Sequence, residues 1–558
     1  MNPIRLLALA LAAGLAAAAA AALVPPPTAI PDRPVITYDP PTTPQTLEAA
    51  GAGTNVRVNQ DSSGRDQNET TIAVSPIDPG YLVGGANDAR SGSWGAGVYV
   101  SHDGGRTWTD GLMPFRKYPN QGDPTVAFCG DGIPVYAYLD YVGAYQPHRL
   151  ISAHSVDGGQ SWVGPGVAYQ GTTPFADKPY IACAPDDGSP YANRAYLSWT
   201  QIGFGTSPIV VAYSSDHGQT WNGRTPVSGN GGVQGSIPVA GRDGEVYVFW
   251  RGNGVIGFAH SLDGGANFGA PGVVASITPI PDSTFRRNSF PTAAIDTSGG
   301  PYDGTVYVAW ADNRNGDPDI YFTRSTDGGN TWDPPRRVND DPVGNGRDQF
   351  FPWMSVDENG YVHLMWHDRR EDPDNRDYHI RIATSRDGGA TFDRNLRVTD
   401  LASDGSLTGF LGDYAALAAG HGNLFPFWSD LRAGTGEEDV YVEREPVFDY
   451  DIVSGVAFRP DRVTVDWDDQ EPRTGSGVVY DVVTGMVSDL GSADAAQRAS
   501  CRYEDLPSPP AELPDLPPAG DALYVLIRAQ GPRGDGSFGS GTDHPDPRDP
   551  FDDTPACL

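Results

Sequence analysis

A pair of short apolar strands joined by a turn recurs seven times between residues 55 and 445 of this 558-residue chain. In chain order the first strands read TTIAV, TVAF, PYIAC, IPVAG, PTAAID, PWMSVD and YAALAA. The second strands often contain tryptophan near their end, as in AYLSWT, VYVFWR and VHLMWHD. Short apolar runs between turn residues are typical of β-strands, and their regular recurrence indicates a repeat architecture with one small sheet per unit.

A second motif, Ser-x-Asp-x-Gly-x-x-aromatic, follows six of the seven strand pairs. Its Asp accepts hydrogen bonds from nearby backbone N–H groups, and its Gly adopts positive φ without steric cost. Its aromatic residue restarts a strand and buries a large ring. The motif therefore predicts the tip of a hairpin with a structural role, and no copy is nominated as a catalytic site. The copies begin at Ser101, Ser155, Ser214, Ser261, Ser325 and Ser385.

These motifs resemble the Asp box, or BNR repeat, of the sialidase superfamily, and the resemblance covers roughly residues 56–445. It implies a β-propeller with Asp boxes between the third and fourth strands of its blades. The strand pairs predict seven blades, whereas the well-known sialidases of the family have six. We therefore predict an all-β fold whose main domain is a seven-bladed β-propeller.

The N-terminal end of this region predicts how the ring of blades closes. RVNQDSSGRDQ, at residues 57–67, resembles RVNDDPVGNGRDQ, at residues 337–349, which should form the fourth strand of blade 5 and the loop into blade 6. The segment that starts at Arg57 is therefore expected to be the fourth strand of the last blade. Such pairing removes the open sheet edge that would otherwise favour aggregation.

The segments on either side of the propeller differ from it in composition. Arg5 followed by the Ala/Leu-rich run 6–24 is typical of a secretory signal peptide, with an uncleaved membrane anchor as the alternative. Beyond the propeller, RVTVDW, VVYDVVTG and ALYVLIRA predict the strands of a small β-sandwich of the fibronectin type III or immunoglobulin class. The predicted domains are a signal peptide at 1–23, a Pro-rich linker at 24–54, the propeller at 55–445 and the sandwich at 446–558.

Charge and cysteine content narrow the choice of partner and compartment. The net charge of −33 repels phosphate backbones and anionic membranes, so we expect neither nucleic acid nor a membrane surface as a partner. Four cysteines without a CxxC spacing suit two disulfides in an oxidising compartment. Three pairings are open, and proximity favours Cys129 with Cys183 and Cys501 with Cys557. We expect a secreted monomer without a cofactor, although the acidic tail TDHPDPRDPFDD has the residue types of a calcium site.

Candidate chemistry concentrates on the face opposite the Asp boxes, where the loops between strands 2 and 3 and between blades are rich in arginine and carboxylates. Guanidinium groups hold carboxylates bidentately, so arginines gathered at one mouth of an acidic protein predict an anionic glycan ligand. However, Asp-x-Arg recurs after the second strand in four blades, which favours structural ion pairs there. The substrate-binding candidates are Arg65, Arg90, Arg286, Arg287, Arg347, Arg370 and Lys178.

The sialidase resemblance also implies roles for individual residues. DYAALA, which contains Tyr414, resembles the family's Tyr-Ser-x-Leu and implies a tyrosine nucleophile. ANDAR resembles the family's first-blade segment that carries one binding Arg, so Arg90 would bind substrate. If the protein is a glycosidase, we expect Asp88 or Asp66 to donate the proton, and Glu69 is a further catalytic candidate. The chain departs from the family where NETTIAV replaces Phe/Tyr-Arg-Ile-Pro and where SGSWGAGVY has no Asp at the expected place. Packing of the Tyr414 ring in the channel is the alternative to a nucleophile.

Two functional hypotheses follow from these residues. The first is a glycoside hydrolase of the exo-α-sialidase kind that acts on anionic glycans. The second is a non-catalytic propeller that binds glycans or proteins at the cell surface, and a lyase acting on uronic-acid polysaccharides is a third. Geometry discriminates between them: a carboxylate within hydrogen-bond distance of Tyr414, facing unpaired arginines, would favour the enzyme.

Overall fold

The computed structural model describes residues 55–446, except residues 145, 187, 204 and 283–284, and the backbone of short strands beyond residue 446. The predicted signal peptide, the Pro-rich linker, the acidic tail and the predicted Cys501–Cys557 disulfide lie outside the described residues and side chains. No helix in the described part of the chain is long and apolar enough to cross a membrane.

Seven antiparallel sheets form the blades of a β-propeller, as the strand pairs predict. Blade 1 contains Gln67–Val74, Leu82–Asp88, Gly95–Ser101 and Thr109–Leu112. Blade 2 contains Asn120–Phe128, Pro134–Tyr141, His148–His154 and Val163–Gly171. Blade 3 contains Phe175–Cys183, Ala195–Ile202, Ile209–Ser214 and Asn222–Pro226. Blade 4 contains Val233–Ala240, Val246–Gly252, Val255–Ser261 and Gly272–Ser276.

The last three blades carry the extra short elements. Blade 5 contains Thr292–Ile295, Val306–Asp312, Asp319–Ser325 and Arg336–Arg337. Blade 6 contains Gln349–Val356, Val362–Asp368, Asp377–Ser385 and Leu396–Arg397, with Ser403–Asp404 paired to its third strand and a 3-10 turn at Gly405–Leu407. Blade 7 contains Ala416–Gly420, Asn423–Asp430, Asp439–Val442 and Val56–Arg57, with Glu445–Pro446 paired to its second strand.

The N-terminal strand closes the ring, which confirms the prediction drawn from RVNQDSSGRDQ. Val56 pairs with Val442 and Arg57 with Tyr441 in antiparallel register, so the first described strand completes blade 7. The first strand of blade 7 also contacts the first strand of blade 1. The propeller therefore joins its two chain ends through main-chain hydrogen bonds and leaves no open edge at this seam.

The core consists of apolar side chains between neighbouring blades, with the tryptophans of the second strands at its centre. Trp199, Trp310, Trp366 and Trp428 are fully buried. One disulfide, Cys129–Cys183, joins the ends of the first strands of blades 2 and 3, as predicted.

All six copies of the Ser-x-Asp-x-Gly motif lie between a third and a fourth strand and share one set of hydrogen bonds. In the first copy, Oδ1 of Asp103 accepts from the Ser101 hydroxyl over 2.9 Å and from the Thr107 backbone N–H over 2.9 Å. Its Oδ2 accepts from the Thr107 hydroxyl over 2.6 Å. The equivalent three contacts recur in the copies centred on Asp157, Asp216, Asp263, Asp327 and Asp387.

Beyond the propeller the chain forms further strands where alternation predicts them. One sheet orders Ala457–Phe458, Thr464–Asp466 and Ala511–Glu512, and a second orders Ser500–Leu506, Val479–Met486, Leu523–Gly531 and Gly534–Asp535. The strands predicted from RVTVDW, VVYDVVTG and ALYVLIRA are thus present. Their assembly into a β-sandwich stays a prediction.

Candidate functional site

The first strands of blades 1, 2 and 3 each contain a β-bulge, and a charged residue occupies each bulge. Glu69, Asp123 and Lys178 have φ angles of 55°, 50° and 51°, and the strand register shifts at these points. Residues other than glycine seldom adopt positive φ, and such strain is concentrated at functional sites. The equivalent residue of blade 4 is Gly235, where an added Cβ would lie 2.3 Å from the ring of Phe290. The bulges therefore aim charged groups from three successive blades at one place.

Lys178 connects carboxylates that belong to different blades. Its Nζ lies 3.2 Å from Oε1 of Glu69 and also contacts Oδ2 of Asp413, which comes from the loop into blade 7. Its backbone N–H donates to Oδ2 of Asp123 over 3.0 Å. We call Glu69, Asp123, Lys178 and Asp413 the mouth cluster. The ammonium group thus contacts two of the three carboxylates, and the third lies beside them, so burial favours a proton on one of the three.

The carboxylates of this region have opposite acid–base properties. Burial raises the pKa of Glu69 well above its ordinary value; Lys178 opposes the shift, and Asp123 and Asp413 add to it. Burial likewise raises the pKa of Asp177 to about 6. Burial also raises the pKa of Asp413, but Lys178 and Arg286 outweigh it and keep that pKa below its ordinary value. The surroundings of Glu69 therefore favour its protonated form, whereas those of Asp413 favour its carboxylate form.

A chain of amides extends from Glu69 to a second buried glutamate. Nδ2 of Asn87 donates to Oε2 of Glu69 over 2.9 Å and to Oδ1 of Asn68 over 3.2 Å. Nδ2 of Asn68 donates in turn to Oε2 of Glu438 over 2.9 Å. Burial raises the pKa of Glu438 to about 8, although hydrogen bonds from Asn68 and Thr408 lower it. Glu69 of the mouth cluster is therefore fixed by a hydrogen-bond network that extends from blade 1 to blade 7.

A cavity of about 240 Å³ opens beside the mouth cluster. Arg286 is 54% exposed and donates to Asp413, which is 2% exposed, from Nε over 2.8 Å. Arg251 also lines the cavity, and its guanidinium makes no ion pair or hydrogen bond with any described residue. The other polar residues of the lining are Lys178, Gln234, Asp282, Arg287, Asn288, Ser289 and Asp413, beside the ring of Phe290. We call this space the mouth cavity.

Tyr414 is buried beside Lys178, among aromatic rings. Its ring meets that of Tyr180 edge-on at 5.1 Å, and the Lys178 ammonium lies 5.7 Å from its centre. Burial raises the pKa of the Tyr414 hydroxyl well above its ordinary value, and the charge of Glu69 raises it further. No described carboxylate accepts a hydrogen bond from this hydroxyl. A nucleophilic tyrosine needs a base in contact and an environment that favours the phenolate, and this geometry provides neither.

The four Asp-x-Arg motifs form ion pairs within themselves. Oδ2 of Asp88 contacts Arg90 at 2.7 Å and accepts from the Tyr99 hydroxyl over 3.2 Å, and Asp88 is fully buried. In the other three motifs the same Asp also accepts from a tryptophan indole, at Asp312, Asp368 and Asp430. Asp88 as proton donor, and Arg90 and Arg370 as ligands of the mouth, do not fit this geometry because each is already bound at its own strand end.

The remaining candidates are distributed over the mouth face. Arg287 lines the mouth cavity, but its Nη1 lies 2.5 Å from Oδ2 of Asp348. Arg65 is exposed, and Arg347 is half-buried. Asp66 is half-buried, and its Oδ1 accepts from the backbone N–H of Glu438 over 3.4 Å. Neither arginine lines the cavity, and Asp66 contacts none of the mouth cluster, so these three are not part of the site.

Four residues of the site carry no predicted role. Asp123 and Asp413 belong to the predicted loops between blades, and Asp123 precedes a proline, as Lys178 does. Alignment of the first strands would therefore have placed Asp123 with Lys178. Arg251 and Gln234 follow no such sequence pattern. Their position beside Lys178 and Asp413 is visible only in the folded structure.

One hairpin of the propeller, at residues 99–110, matches the family model of the BNR/Asp-box repeat. No curated protein matches the chain. Among solved structures, it is similar to a protein of unknown function from Dyadobacter fermentans, with 16% identity, a TM-score of 0.40 and coverage of 60% of this chain and 98% of that chain.

Two glycan-acting proteins are also among the similar structures. The NanB sialidase from Streptococcus pneumoniae has 11% identity and a TM-score of 0.41, with 58% of this chain and 68% of that chain covered. An alpha-L-arabinanase from Penicillium chrysogenum has 14% identity and a TM-score of 0.38, with 58% and 92% covered. The chain is a seven-bladed β-propeller that carries a BNR/Asp-box repeat, which supports its resemblance to sialidase-like propellers.

Proposed function

We propose that this protein is a secreted glycan-binding propeller that recognises one anionic sugar residue in the mouth cavity. The observation that carries the proposal is the guanidinium of Arg251, which lines the cavity without a described partner beside the exposed Arg286. Arginine is suited to bidentate recognition of a carboxylate. Gln234, Asn288 and Ser289 supply amide and hydroxyl groups for sugar hydroxyls.

The size of the mouth cavity supports a single sugar residue as the ligand. Its volume of about 240 Å³ lies below the roughly 300–1,000 Å³ that is usual for larger ligands.

The remaining predictions are part of the same proposal: a cleaved signal peptide at 1–23, six Asp boxes, a monomer and an accessory β-sandwich at 446–558. The disulfide between Cys129 and Cys183 suits the oxidising compartment that secretion implies.

The test is calorimetric titration of the mature protein with N-acetylneuraminic acid and with galacturonic acid, with galactose as the neutral control. We expect an acidic sugar to bind and galactose not to bind. Arg251→Gln should weaken binding about tenfold or more, because a charge-assisted hydrogen bond is lost. Arg376→Gln, a half-exposed arginine outside the cavity, is the matched control. Equal affinity of wild type and Arg251→Gln would sink the proposal.

Hydrolysis is the second candidate function, and one observation favours it. Glu69 and Asp413 contact the same ammonium group, yet their pKa values are shifted in opposite directions. Two carboxyl groups whose environments separate their pKa values are the usual acid and base of a glycosidase. In this mechanism Glu69 protonates the leaving oxygen while Asp413 stabilises the developing positive charge. Water then adds to the anomeric carbon and gives its proton back to the Glu69 carboxylate, and Tyr414 has only a packing role.

Release of the aryl group from an aryl sialoside or an aryl galacturonide tests this mechanism. Glu69→Gln should abolish turnover, whereas Tyr414→Phe should keep most of it. Turnover lost in Tyr414→Phe but kept in Glu69→Gln would restore the tyrosine-nucleophile mechanism that the sialidase resemblance implies. No turnover of either glycoside by wild type would leave binding as the function.

A further inference from the structure

A second, larger concavity lies beside the outer strands of blade 6. It has a volume of about 680 Å³ and is lined by residues from the loop between strands 2 and 3, from strands 3 and 4, and from the loop that leaves blade 5. Four of the lining side chains are arginines: Arg370, Arg381, Arg394 and Arg397. We call this the blade-6 groove. Arginines are scarce relative to carboxylates in this chain, which has 38 Lys and Arg against 71 Asp and Glu, so four in one groove reverse the local charge.

Two carboxylates of the groove do not balance these arginines. Glu371 contacts Arg381 and lies 3.1 Å from Arg397. Asp340 contacts Arg370 and accepts from the Asn395 backbone N–H over 3.0 Å.

Behind the groove, Arg370 is held further by the buried Asp368. Arg394 is exposed and makes no ion pair with any described residue. Arg370 also lies 3.6 Å from Asp341, so the guanidinium of the groove that no described carboxylate pairs with is that of Arg394.

The burial of two arginines makes this a formed site rather than a set of mobile surface charges. The side chains of Arg381 and Arg370 are only 12% and 14% exposed. Burial lowers the pKa of Arg381, and the neighbouring Arg370 lowers it further. Crowded, partly dehydrated guanidinium groups are stabilised by an added anion, because it relieves their mutual repulsion.

We propose that the blade-6 groove is a second binding site, independent of the mouth cavity, for a short acidic oligosaccharide that carries carboxylate or sulfate groups. The volume lies within the usual range for ligands larger than one sugar. The remainder of the acidic surface repels a long polyanion, so a ligand of a few residues fits better than a polymer. Glu371 competes with the ligand for Arg381 and Arg397, and it keeps these arginines in place when the groove is empty.

Calorimetric titration with trigalacturonate tests the carboxylate form of the ligand, and sulfated maltotriose tests the sulfate form. Unsubstituted maltotriose is the neutral control. The experiment uses the full mature chain with Arg251→Gln, so that binding at the mouth is weakened and is separated from binding at the groove. We expect one of the two acidic trisaccharides to bind. The double variant Arg394→Gln/Arg397→Gln should weaken that binding about tenfold or more, while the buried Arg370 and Arg381 keep their ion pairs.

Two matched variants separate a specific groove from general electrostatics. Arg376→Gln removes a half-exposed arginine of the same blade that lies 3.2 Å from the exposed Asp374, and it should leave affinity unchanged. Glu371→Gln should raise affinity severalfold by freeing Arg381 and Arg397, whereas Asp374→Asn, with the same change in charge, should not. Absence of binding by both acidic probes, an unchanged affinity of the double variant, or an equal loss in Arg376→Gln would each overturn the proposal.

Discussion

The carboxylates of the hairpin tips and those of the mouth stand at opposite ends of the same sheets, in different surroundings. In the tip at Asp263, hydrogen bonds from Asn267 and Ser261 lower the pKa to about 2. At the mouth, burial raises the pKa of Asp177 to about 6 and that of Glu69 well above its ordinary value. Each tip aspartate finds its donors within four residues of chain, whereas Glu69 depends on Lys178 and Asn87 from distant segments.

This difference separates structural carboxylates from candidate functional ones. A structural carboxylate accepts hydrogen bonds from residues of its own motif, so the same bonds recur in every copy. A buried carboxylate whose partners come from distant segments is costly to desolvate, and such groups are concentrated at functional sites. The mouth cluster is the second kind, and the variants below test the distinction, from the largest expected effect to the smallest.

Removing Lys178 should have the largest effect. Lys178→Met leaves Glu69, Asp123 and Asp413 without their shared ammonium group, and breaking a buried ion pair costs about 3–5 kcal/mol. Thermal and urea unfolding at pH 7 measure the loss. Lys117→Met is the matched control, since the only other lysine is exposed and should change stability by less than about 0.5 kcal/mol. Similar stability of the two variants would mean that the mouth cluster is not a buried charge centre.

The acid–base state of Glu438 should make stability depend on pH. Its folded-state pKa of about 8 exceeds the roughly 4.3 of an unfolded glutamate, so the folded protein holds an extra proton between these values. The stability that this proton contributes is complete below about pH 4 and is lost as pH rises through 8.

Glu438→Gln removes this dependence because the amide cannot ionise. The variant should match wild type near pH 4 and exceed it by about 2–4 kcal/mol above pH 8. Melting temperatures between pH 5 and pH 9 check the trend, and parallel curves for the two proteins would contradict it. Glu358→Gln, at an exposed glutamate, is the control.

A hairpin-tip substitution should cost less than either change above. Asp387→Ala removes acceptors for the Thr391 backbone N–H, the Thr391 hydroxyl and the Ser385 hydroxyl. Loss of such a capping carboxylate costs about 1 kcal/mol. The folded pKa of Asp387 is lowered, by Thr391 against the opposing effect of burial, so this stability is present above about pH 4 and is lost on acidification. If Asp387→Ala lost more stability than Lys178→Met, the inference that the mouth contains the more costly buried charges would be wrong.

The smallest effect is expected at Tyr414. Tyr414→Phe removes a hydroxyl that no described carboxylate engages, while the ring packing against Tyr180 and Trp353 is kept. Stability should change by less than about 1 kcal/mol and affinity for an acidic sugar by less than about twofold. A loss of binding or turnover of tenfold or more would show that the hydroxyl takes part in the chemistry.

The sequence alone was sufficient for the architecture because its signals are local. Strand pairs with buried tryptophans predicted seven blades, and the similarity of RVNQDSSGRDQ to a later repeat predicted the closing strand that pairs Val56 with Val442. Of the three possible cysteine pairings, proximity favoured Cys129 with Cys183, and this disulfide is present. Such features depend on residues within one repeat, or on equivalent residues of two repeats, and both are visible in the chain.

Only the tertiary structure decided which charges meet. Sequence identified Glu69, Lys178 and Arg286 as candidates. That Asp413 pairs with both Lys178 and Arg286, and that Arg251 is an unpaired residue of the cavity, was visible only in the folded structure. The same ring placed Asp88 and Arg90 in a strand-end ion pair away from the site. Electrostatic partners are chosen by distance and burial in space, and neither quantity is encoded in the spacing of residues along the chain.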